Sequence, residues 1–312
     1  MMVKALNKNS FIYKVIYNVS WYINFGFKKL ILICSRIVPD KIYLKHHFYK
    51  STGYKLDLDN PQTFNEKLNW MKLYDRNPLY TKLADKCAVR DYVISHIGEE
   101  YLIPLIGVWD NANDIDFDAL PKQFVLKCTH DSGSAIVCKD KEKLDKGLAI
   151  KKLNKALKHN YFYYNREWAY KNIPRKIIAE EYVEDIADKE LRDYKFFCFG
   201  GVPRMLYIAA SRGKGELTFD YYDMDFNHLD VRQYYPNSKL QLHKPDNFEL
   251  MKELAKELSK DVDNVRIDFY EANGKVYFGE MTFYNNGGTT PYTPREWDYT
   301  FGEWMILRKR IG

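Results

Sequence analysis

Residues 265–283 read VRIDFYEANGKVYFGEMTF, and this stretch decides the fold. Two strand-like runs flank Asn273-Gly274, a dipeptide that strongly favours a two-residue hairpin turn. Asp268 and Glu280 lie almost symmetrically about that turn, so pairing of the two strands would place their carboxylates side by side. Like charges at that distance repel each other unless something compensates them. The stretch therefore predicts an antiparallel hairpin that carries a charged site.

Two kinds of compensation are open for these carboxylates. Mg²⁺ takes oxygen ligands and is typically held by one or two carboxylates together with substrate phosphates. Arg266 shares a strand face with Asp268 and is placed to hold a carboxylate or an acyl-phosphate. The alternative is a structural cluster in which arginine and carboxylates only neutralise each other. The residues alone leave both interpretations open.

A second candidate site begins at residues 124–139, which read FVLKCTHDSGSAIVCK. Lys127 lies inside an otherwise apolar strand, which is costly unless the lysine has an anionic partner. The small residues of the following loop, 130–134, can present backbone N–H groups to phosphate oxygens. The loop does not match the Walker A pattern GxxxxGK[ST]. An edge-strand lysine beside an ordinary hairpin turn is the alternative interpretation.

Two acidic neighbours, Glu180 and Glu181, end an apolar strand at residues 177–183, IIAEEYV. Because side chains alternate along a strand, one of the two must face inward or lie at the strand end. An inward carboxylate can accept a hydrogen bond from an adenine amino group. Asp193 and Lys195 share one face of the next strand, which offers an acceptor for ribose hydroxyls and a donor for phosphate. A solvated salt bridge between those two residues is the alternative.

The rest of the chain alternates helical and strand patterns. Thr63 and Glu66 have the spacing of a capping box, which marks the start of a helix. Helical patterns cover residues 63–97, 144–164 and 248–262, and strand patterns cover 102–108, 124–128 with 135–138, 176–183, and 193–199 with 203–209. This mixture of helices and mainly antiparallel hairpins predicts an α+β fold.

The 312-residue chain carries a formal net charge of +6, and that charge is concentrated near the N-terminus. Residues 1–50 contain nine Lys or Arg residues and one acidic residue, Asp40. This distribution argues against a nucleic-acid binder and favours a near-neutral catalytic body with a basic segment suited to an anionic membrane surface or polymer. Five scattered cysteines without a CxxC pair are typical of a reduced, cytoplasmic protein.

The uncharged run at residues 15–27 is too short and too polar for a transmembrane helix, which needs about 20 apolar residues. The aromatic residues between positions 11 and 25, flanked by lysines, fit a helix that lies at a membrane interface. A helix packed on the protein body fits them equally well. We therefore expect a cytoplasmic protein that is either free or peripheral at the inner membrane face.

Taken in order, these pieces resemble the ATP-grasp superfamily, and specifically the group similar to the teichuronopeptide-biosynthesis (TupA-like) ligase. The resemblance runs from about residue 63 to the C-terminus through TFNEKLNWMKLYDR, LADKCAVRDYV, FVLKCTHDSGS, EEYV, DYKFFCF, VRIDFY and FGEMTF. It implies an ATP-grasp fold, in which two antiparallel-sheet subdomains clasp ATP, with a mainly helical N-terminal region. It also implies that a carboxylate is activated as an acyl-phosphate and that an amine then displaces phosphate to form an amide.

The resemblance also suggests four segments and a class of substrates. We expect a basic, aromatic segment at residues 1–60, a helical region at 61–120, a small subdomain with a phosphate lid at 121–185, and a large subdomain with a magnesium site at 186–312. The group occurs among cell-surface polysaccharide genes. The expected substrates are therefore ATP, an amine, and a carboxylate from a uronic acid or an amino acid. A lipid-linked glycan substrate would bring the enzyme to the membrane.

Carried over by position, the resemblance assigns roles to individual residues. The residues implied to bind ATP are Lys86, Lys127, His130, Ser132, Gly133, Ser134, Glu180, Glu181, Val183, Asp193 and Lys195. The residues implied to act in catalysis are Lys195, which would face the phosphates, and Arg266, which would face the acyl-phosphate. The residues implied to bind Mg²⁺ are Asp268, Glu280 and Thr282.

Two positions depart from the pattern of this group. Many members have Asn two residues after the metal-binding glutamate, where this chain has Thr282. A hydroxyl is a weaker metal ligand than an amide carbonyl, so Asn285, Asn286 or a water would complete the metal shell. The segment that follows contains only the pair Gly287-Gly288, where a longer glycine run is expected. This difference leaves the substrate contacts open.

A glycosyltransferase is the main alternative, because DxD triplets occur at residues 114–116 and 223–225. Several such triplets are expected by chance, and no series of parallel βαβ units precedes them. A non-catalytic carbohydrate-binding protein would explain the 26 Tyr and 18 Phe residues. It would leave Lys127, Asp268 and Glu280 without a reason to coexist. The sequence therefore favours an ATP-dependent ligase.

Overall fold

The computed structural model describes residues 38–186, 191–210, 217–239 and 242–307. The chain divides into two compact units, Met1–Tyr43 and Leu44–Gly312, and both β-sheets belong to the second unit. The aromatic segment at residues 11–25 lies outside the described residues. Within the described ranges, no helix is both long enough and apolar enough to cross a membrane.

The helices follow the periodic segments of the sequence, with interruptions at capping residues. The α-helices of the described residues are α1 (Asp40–Thr52), α2 (Phe64–Tyr74), α3 (Pro78–Ala84), α4 (Val89–His96), α5 (Lys146–Leu157), α6 (Phe162–Asn165), α7 (Phe248–Leu258) and α8 (Glu296–Trp304). The capping box of Thr63 and Glu66 is confirmed at the start of α2. The helical pattern predicted after it is broken because Asn77 caps a new helix with Pro78 in its first turn.

Four antiparallel strands form the smaller sheet. They are β1 (Leu105–Trp109), β2 (Phe124–Cys128), β3 (Ile136–Cys138) and β4 (Ile177–Glu181), in the order β1-β4-β2-β3. The predicted pairing of β2 with β3 is confirmed. Phe124 and Leu126 form a buried cluster with Ala149 and Leu153 of α5, so the helix covers one face of this sheet. Because β1 precedes residue 121, the sheet begins before the expected start of the small subdomain.

Six antiparallel strands form the larger sheet. They are β5 (Asp193–Phe199), β6 (Val202–Ala210), β7 (Thr218–Asp223), β8 (His228–Leu229), β9 (Asn264–Ala272) and β10 (Lys275–Thr282), in the order β10-β9-β5-β6-β7-β8. The two predicted hairpins, β5–β6 and β9–β10, are confirmed. All residues of β5 are buried, so this strand is the centre of the sheet.

The register of β9 and β10 sets the charged site. Asp268 pairs directly with Glu280, which confirms that the hairpin places the two carboxylates side by side. Asn273 and Gly274 form the turn with φ values of 53° and 73°, as a type I′ turn requires. A bulge at Gly279 shifts the register beside this pair, and a Cβ atom there would lie 3.0 Å from the Asp268 carbonyl oxygen. A glycine therefore suits this position.

The C-terminal helix α8, which the sequence patterns did not predict, is joined to α2 by one buried carboxylate. Asp298 Oδ1 accepts a hydrogen bond from the Asn65 backbone at 2.9 Å, and Oδ2 accepts one from Asn65 Nδ2 at 3.0 Å. Burial raises the pKa of Asp298 to about 6, although the hydrogen bonds from Asn65 act in the opposite direction. This contact therefore responds to pH.

Replacing Asp298 with Asn is expected to flatten the dependence of stability on mildly acidic pH. The unfolded chain loses the Asp298 proton near pH 4, whereas the folded protein keeps it until about pH 6. The folded state binds more protons in that window, so its stability falls as the pH rises. Urea unfolding at several pH values should show a fall of about 1–3 kcal/mol in the wild type that the variant lacks. If the free energy of unfolding changes with pH in the same way in the wild type and the variant, the raised pKa is not that of Asp298.

Candidate active site

A cavity of about 450 Å³ lies between the loop that follows β2 and the charged strands β5, β9 and β10. This volume is in the usual range for a small-molecule site. The sequence-predicted residues that line it are Lys86, Lys127, Ser132, Gly133, Ser134, Asp193, Lys195, Arg266, Asp268, Glu280 and Thr282. The fold therefore brings most of the candidate residues to one place.

Arg266 and Asp268 form the centre of the charged site. The Arg266 guanidinium donates two hydrogen bonds of 2.7 Å to the two oxygens of Asp268, in the bidentate geometry that makes such pairs strong. Its Nη2 atom lies 3.3 Å from Glu280 Oε1. Burial alone would lower the pKa of Arg266, but the carboxylates around it, Asp268 foremost, raise that pKa. The guanidinium thus compensates both hairpin carboxylates.

Lys195 compensates a second pair of carboxylates. It stands opposite Asp268 in the β5–β9 register, and its Nζ atom donates to Asp268 and lies 2.9 Å from Asp193 Oδ2. Burial alone would lower the pKa of Lys195, but Asp193 and Asp268 outweigh it and raise that pKa. The alternative, a salt bridge between Asp193 and Lys195, does form, but it is buried rather than solvated, because both side chains are less than a tenth exposed.

Glu280 is the hairpin carboxylate that opens to the cavity. Its side chain is 37% exposed, whereas that of Asp268 is 1% exposed. Burial alone would raise the pKa of Glu280, but the nearby cations, Lys86 foremost, lower it to about 2. Lys86 Nζ lies 3.9 Å from Glu280 Oε2. Glu280 therefore stays ionised and accessible at any physiological pH.

The donor set fits Mg²⁺ only in combination with a substrate. In the part of the chain that the structure describes, no group of three or more His, Cys, Asp or Glu side chains could hold a metal ion. Asp268 and Glu280 both approach the same Nη2 atom of Arg266, so their carboxylates converge on one point. Two carboxylates plus phosphate and water oxygens are the ligands that Mg²⁺ usually finds in phosphoryl-transfer sites.

Thr282 and Asn285 support the charged cluster directly. The Thr282 hydroxyl donates to Glu280 Oε1 at 3.1 Å and accepts from Arg266 Nη2 at 3.1 Å. Asn285 Oδ1 accepts from Arg266 Nη1 at 2.8 Å. These contacts orient the guanidinium and the Glu280 carboxylate. That Thr282 or Asn285 also completes a metal shell stays a prediction.

The loop after β2 is closed by its own hydrogen bonds. Ser134 Oγ accepts from the Cys128 backbone at 2.9 Å and donates to Asp131 Oδ1 at 2.6 Å, while Lys86 Nζ donates to the Asp131 carbonyl at 2.6 Å. Ser132 and Gly133 are exposed and line the cavity. The loop tip is therefore free to meet a ligand, while its base is fixed.

His130 lies away from this cavity. Its side chain is buried, and its Nε2 atom lies 3.1 Å from the His159 carbonyl oxygen near the end of α5. Burial lowers the pKa of His130, so the ring is neutral at physiological pH. The expectation that His130 belongs to the phosphate-binding tip is not supported by this position, because the chain turns its side chain inward before the exposed residues of the loop.

A second cavity of about 350 Å³ adjoins the first and contains the residues expected at the adenine. Lys127 lines both cavities, and its Nζ atom lies 2.5 Å from Glu180 Oε2, which supplies the anionic partner that the sequence requires. Arg90 lies 3.4 Å from the other oxygen of Glu180. Glu180 is buried and Glu181 is exposed, as strand alternation predicts, and Val183 lines the same cavity.

Several residues of the first cavity were not predicted from the sequence. They are Tyr161, Asn165, Glu167, Tyr170, Tyr207 and Tyr284. Asn165 is the last residue of the short helix α6 and Glu167 follows two residues later, where no periodic pattern marks either residue. One related signal was present in α2: Asn65, Asn69 and Lys72 share a helix face at spacings of four and three. All three are buried, and Asn69 and Lys72 bind the carbonyls of Gly288 and Gly287.

The DxD triplet at residues 223–225 has a structural role. Asp223 Oδ1 accepts hydrogen bonds from the backbones of Asp225 at 2.9 Å and Asn227 at 2.8 Å, which close the turn after β7. Neither Asp223 nor Asp225 lines either of the two cavities described above. This triplet therefore gives no support to the glycosyltransferase alternative.

Comparison with solved structures found distant similarity to enzymes. A D-alanine–D-alanine ligase from Bacillus anthracis complexed with ATP is 14% identical, with a TM-score of 0.39, and the match covers 65% of this chain and 55% of that one. An N5-carboxyaminoimidazole synthetase from Staphylococcus aureus complexed with ADP is 14% identical, with a TM-score of 0.36, and the match covers 64% of this chain and 43% of that one. The D-cycloserine synthetase DcsG is 15% identical, with a TM-score of 0.40, and the match covers 73% of this chain and 71% of that one. This chain thus spans about half of the length of the first two.

The family assignment rests on the sequence itself. A search of curated proteins found no significant match. The family model described as TupA-like ATPgrasp matches residues 66–306, which is most of the chain and includes both sheets and both cavities. The chain therefore belongs to the TupA-like ATP-grasp family, whose members are ATP-dependent ligases.

Proposed function

We propose that this protein is an ATP-dependent carboxylate–amine ligase that forms an amide through an acyl-phosphate. One observation carries the proposal: the cations Lys86, Lys195 and Arg266 line a single cavity together with the hairpin carboxylates Asp268 and Glu280. A cavity with this charge pattern suits the phosphates of a nucleotide and an anionic substrate. Membership of the ATP-grasp family supports the same reaction class.

In this proposal the two cavities divide the nucleotide between them. The base would lie beside Glu180 and Val183, the ribose beside Asp193, and the phosphates beside Lys86 and the loop after β2. Asp268 and Glu280 would hold Mg²⁺, which neutralises phosphate charge when bound. Preorganised cations contribute most where negative charge develops during the reaction.

The reaction has two steps. A carboxylate oxygen of the substrate attacks the γ-phosphorus, the bond to the bridging oxygen breaks, and ADP leaves with that electron pair. Arg266 would stabilise the acyl-phosphate, and its hydrogen bonds with Thr282 and Asn285 support this role by orienting the guanidinium. The amine first gives up the proton of its ammonium form to solvent, and the lone pair on its nitrogen then attacks the acyl carbon. Phosphate leaves with the electron pair of the broken C–O bond, and loss of one more proton to solvent gives the neutral amide.

The finer substrate assignment rests on the resemblance to ligases of cell-surface polysaccharide gene clusters. We propose that the carboxylate belongs to a uronic acid of a polysaccharide precursor or to an amino acid. The test is release of ADP and phosphate with panels of uronic acids and amino acids, each with and without an added amine. Release that depends on both a carboxylate and ATP is expected. Consumption of a sugar nucleotide without ATP would contradict the ligase proposal.

The basic N-terminal segment provides the membrane part of the proposal. Nine Lys or Arg residues in residues 1–50 would attract anionic lipid, with a contribution of about 1 kcal/mol for each charge near the surface. A chain lacking residues 1–37 is the suitable comparison, because α1 begins only at Asp40 and buries Leu44 and Phe48. The full chain is expected to sediment with anionic liposomes at low salt, and the shortened chain is not. Equal sedimentation of both would contradict the membrane role.

A further inference from the structure

A group of side chains that the phosphate chemistry does not use lines the same cavity. Glu167, Asn165, Tyr161 and Tyr170 come from one stretch of chain that includes helix α6. Their only charge is the Glu167 carboxylate, whereas the lining cations belong to the sheet strands and to the segments around Lys86. This stretch therefore contributes a carboxylate and no cation to the cavity lining, and we call it the Glu167 wall.

The position of Glu167 is tightly fixed. Its side chain is buried, and its Oε1 atom accepts a hydrogen bond from Asn165 Nδ2 at 3.1 Å. Gly287 faces both residues with a φ of +63°, and a Cβ atom at that position would lie 2.6 Å from Asn165 Nδ2 and 3.4 Å from Glu167 Oε1. Glycine thus lets the two chain segments meet closely. The carboxylate is held at the cavity wall by packing, as a binding group must be.

Two tyrosines line the same cavity as this carboxylate and the hairpin site. The rings of Tyr161 and Tyr170 touch edge to face, with centroids 5.1 Å apart. Burial raises the pKa of each hydroxyl, and the charges of Glu167 and Glu280 raise both further. Aromatic rings beside a carboxylate form a suitable wall for a cation.

Lys72 is a buried lysine that does not line the cavity. Its Nζ atom donates to the Gly287 carbonyl at 2.6 Å and to Asn69 Oδ1 at 3.1 Å. Burial lowers the pKa of Lys72 to about 8, although Glu167 acts in the opposite direction. The hydrogen bonds of Lys72 thus go to the backbone loop and to an amide. Burial raises the pKa of Glu167, and the charge of Lys72 acts in the opposite direction. Glu167 itself lines the cavity.

We infer that Glu167 binds the ammonium group of the amine substrate, in a pocket walled by Tyr161 and Tyr170. This inference rests on the proposed ligase function and adds the chemical class of the second substrate, a protonated primary amine. A carboxylate in a water-poor wall binds an ammonium group far more strongly than one in bulk water. The cations of the cavity would repel the same ammonium group, so the Glu167 wall is the favourable place for it.

The test separates activation of the carboxylate from use of the amine. Hydroxylamine is mostly uncharged at neutral pH and traps an acyl-phosphate as a hydroxamate, so it reports the first step without an ammonium group. Ethanolamine, L-alanine and glucosamine are the cationic probes, with ADP release as the readout. In Glu167→Gln the KM for the cationic probe is expected to rise about 10–100-fold, the loss of one charged hydrogen bond. Hydroxamate formation is expected to stay within about twofold.

Two further variants distinguish substrate binding from a structural role. If Glu167 only balances the charge of Lys72, the double variant Lys72→Met/Glu167→Gln should restore the KM for the amine, and that result would overturn the inference. A KM that stays raised in the double variant supports it. The surface variant Glu249→Gln controls for the loss of a carboxylate far from the cavity.

The two proposals fail in different ways. An unchanged KM for the amine in Glu167→Gln overturns the inference and leaves the ligase function standing. A wild-type protein that forms no hydroxamate with ATP and any carboxylate of the panel refutes the ligase function, and the inference with it.

Discussion

Replacing Glu280 with glutamine is expected to lower ATP-dependent turnover at least about 100-fold while the protein stays folded. Glu280 is the hairpin carboxylate that is open to the cavity, with a side chain 37% exposed. The amide keeps the shape of the side chain and its contact with Thr282 but loses the charge that would bind Mg²⁺. Turnover is measured as ADP release at saturating carboxylate and amine, over a range of Mg²⁺ concentrations.

The control for this prediction is Glu249→Gln, which removes a carboxylate from an exposed pair with Lys244 and Lys252. Its turnover should match that of the wild type. The Glu280 variant should need more Mg²⁺ for its residual activity if the carboxylate binds the ion. Turnover within about threefold of the wild type would refute a role for Glu280 in the reaction. Even the mutation of residues that only hydrogen-bond to metal ligands typically lowers activity by more than this.

The charged hairpin could be predicted because its signals are local. The Asn273-Gly274 turn fixes the register, and the register fixes which residues face each other. The sequence left two kinds of compensation open for Asp268 and Glu280. Arg266 forms ion pairs with both carboxylates, so the guanidinium supplies one of these two kinds. That pairing does not exclude Mg²⁺, because Glu280 faces the cavity.

The strand β7 could not be predicted because its sequence, TFDYYD, lacks a clean alternation. Asp220 lies within it and is buried, with Oδ1 accepting from the Ser238 backbone at 2.8 Å. An aspartate in the sequence indicates a loop rather than a buried strand, because burial of its carboxylate is costly unless a hydrogen-bond partner is present. β7 forms a strand because all of its residues pair with β6. Such pairing is a tertiary contact, which the local sequence does not show.

The Glu167 wall could not be predicted for a similar reason. Lys72 reaches Gly287, and Asn65 reaches Asp298, across more than 200 residues of sequence. No local pattern encodes contacts of this kind. Asn65, Asn69 and Lys72 share one polar face of α2, but without the structure a solvent-exposed face explains such a pattern equally well. Only the folded chain shows that this face is buried against the Gly287-Gly288 loop.

Replacing Lys195 with methionine is expected to lower the free energy of unfolding by about 3–5 kcal/mol. Lys195 is the cation shared by Asp193 and Asp268, and all three side chains are buried. Methionine fills a similar volume, so the loss comes from leaving carboxylates without their partner. Urea unfolding at neutral pH measures the effect. The exposed pair of Lys260 and Glu257 supplies the control, and Lys260→Met should leave the unfolding curve unchanged.

The double variant Asp193→Asn/Lys195→Met shows which carboxylate causes the loss. Asp268 still receives two hydrogen bonds from Arg266, so it retains a cation when Lys195 is gone. Asp193 Oδ2 lies 2.9 Å from Lys195 Nζ, the cation that the single variant removes. Neutralising Asp193 should therefore recover at least half of the stability that the single variant loses. A double variant as unstable as the single one would mean that Asp268 needs both cations, and that Arg266 alone does not compensate the hairpin.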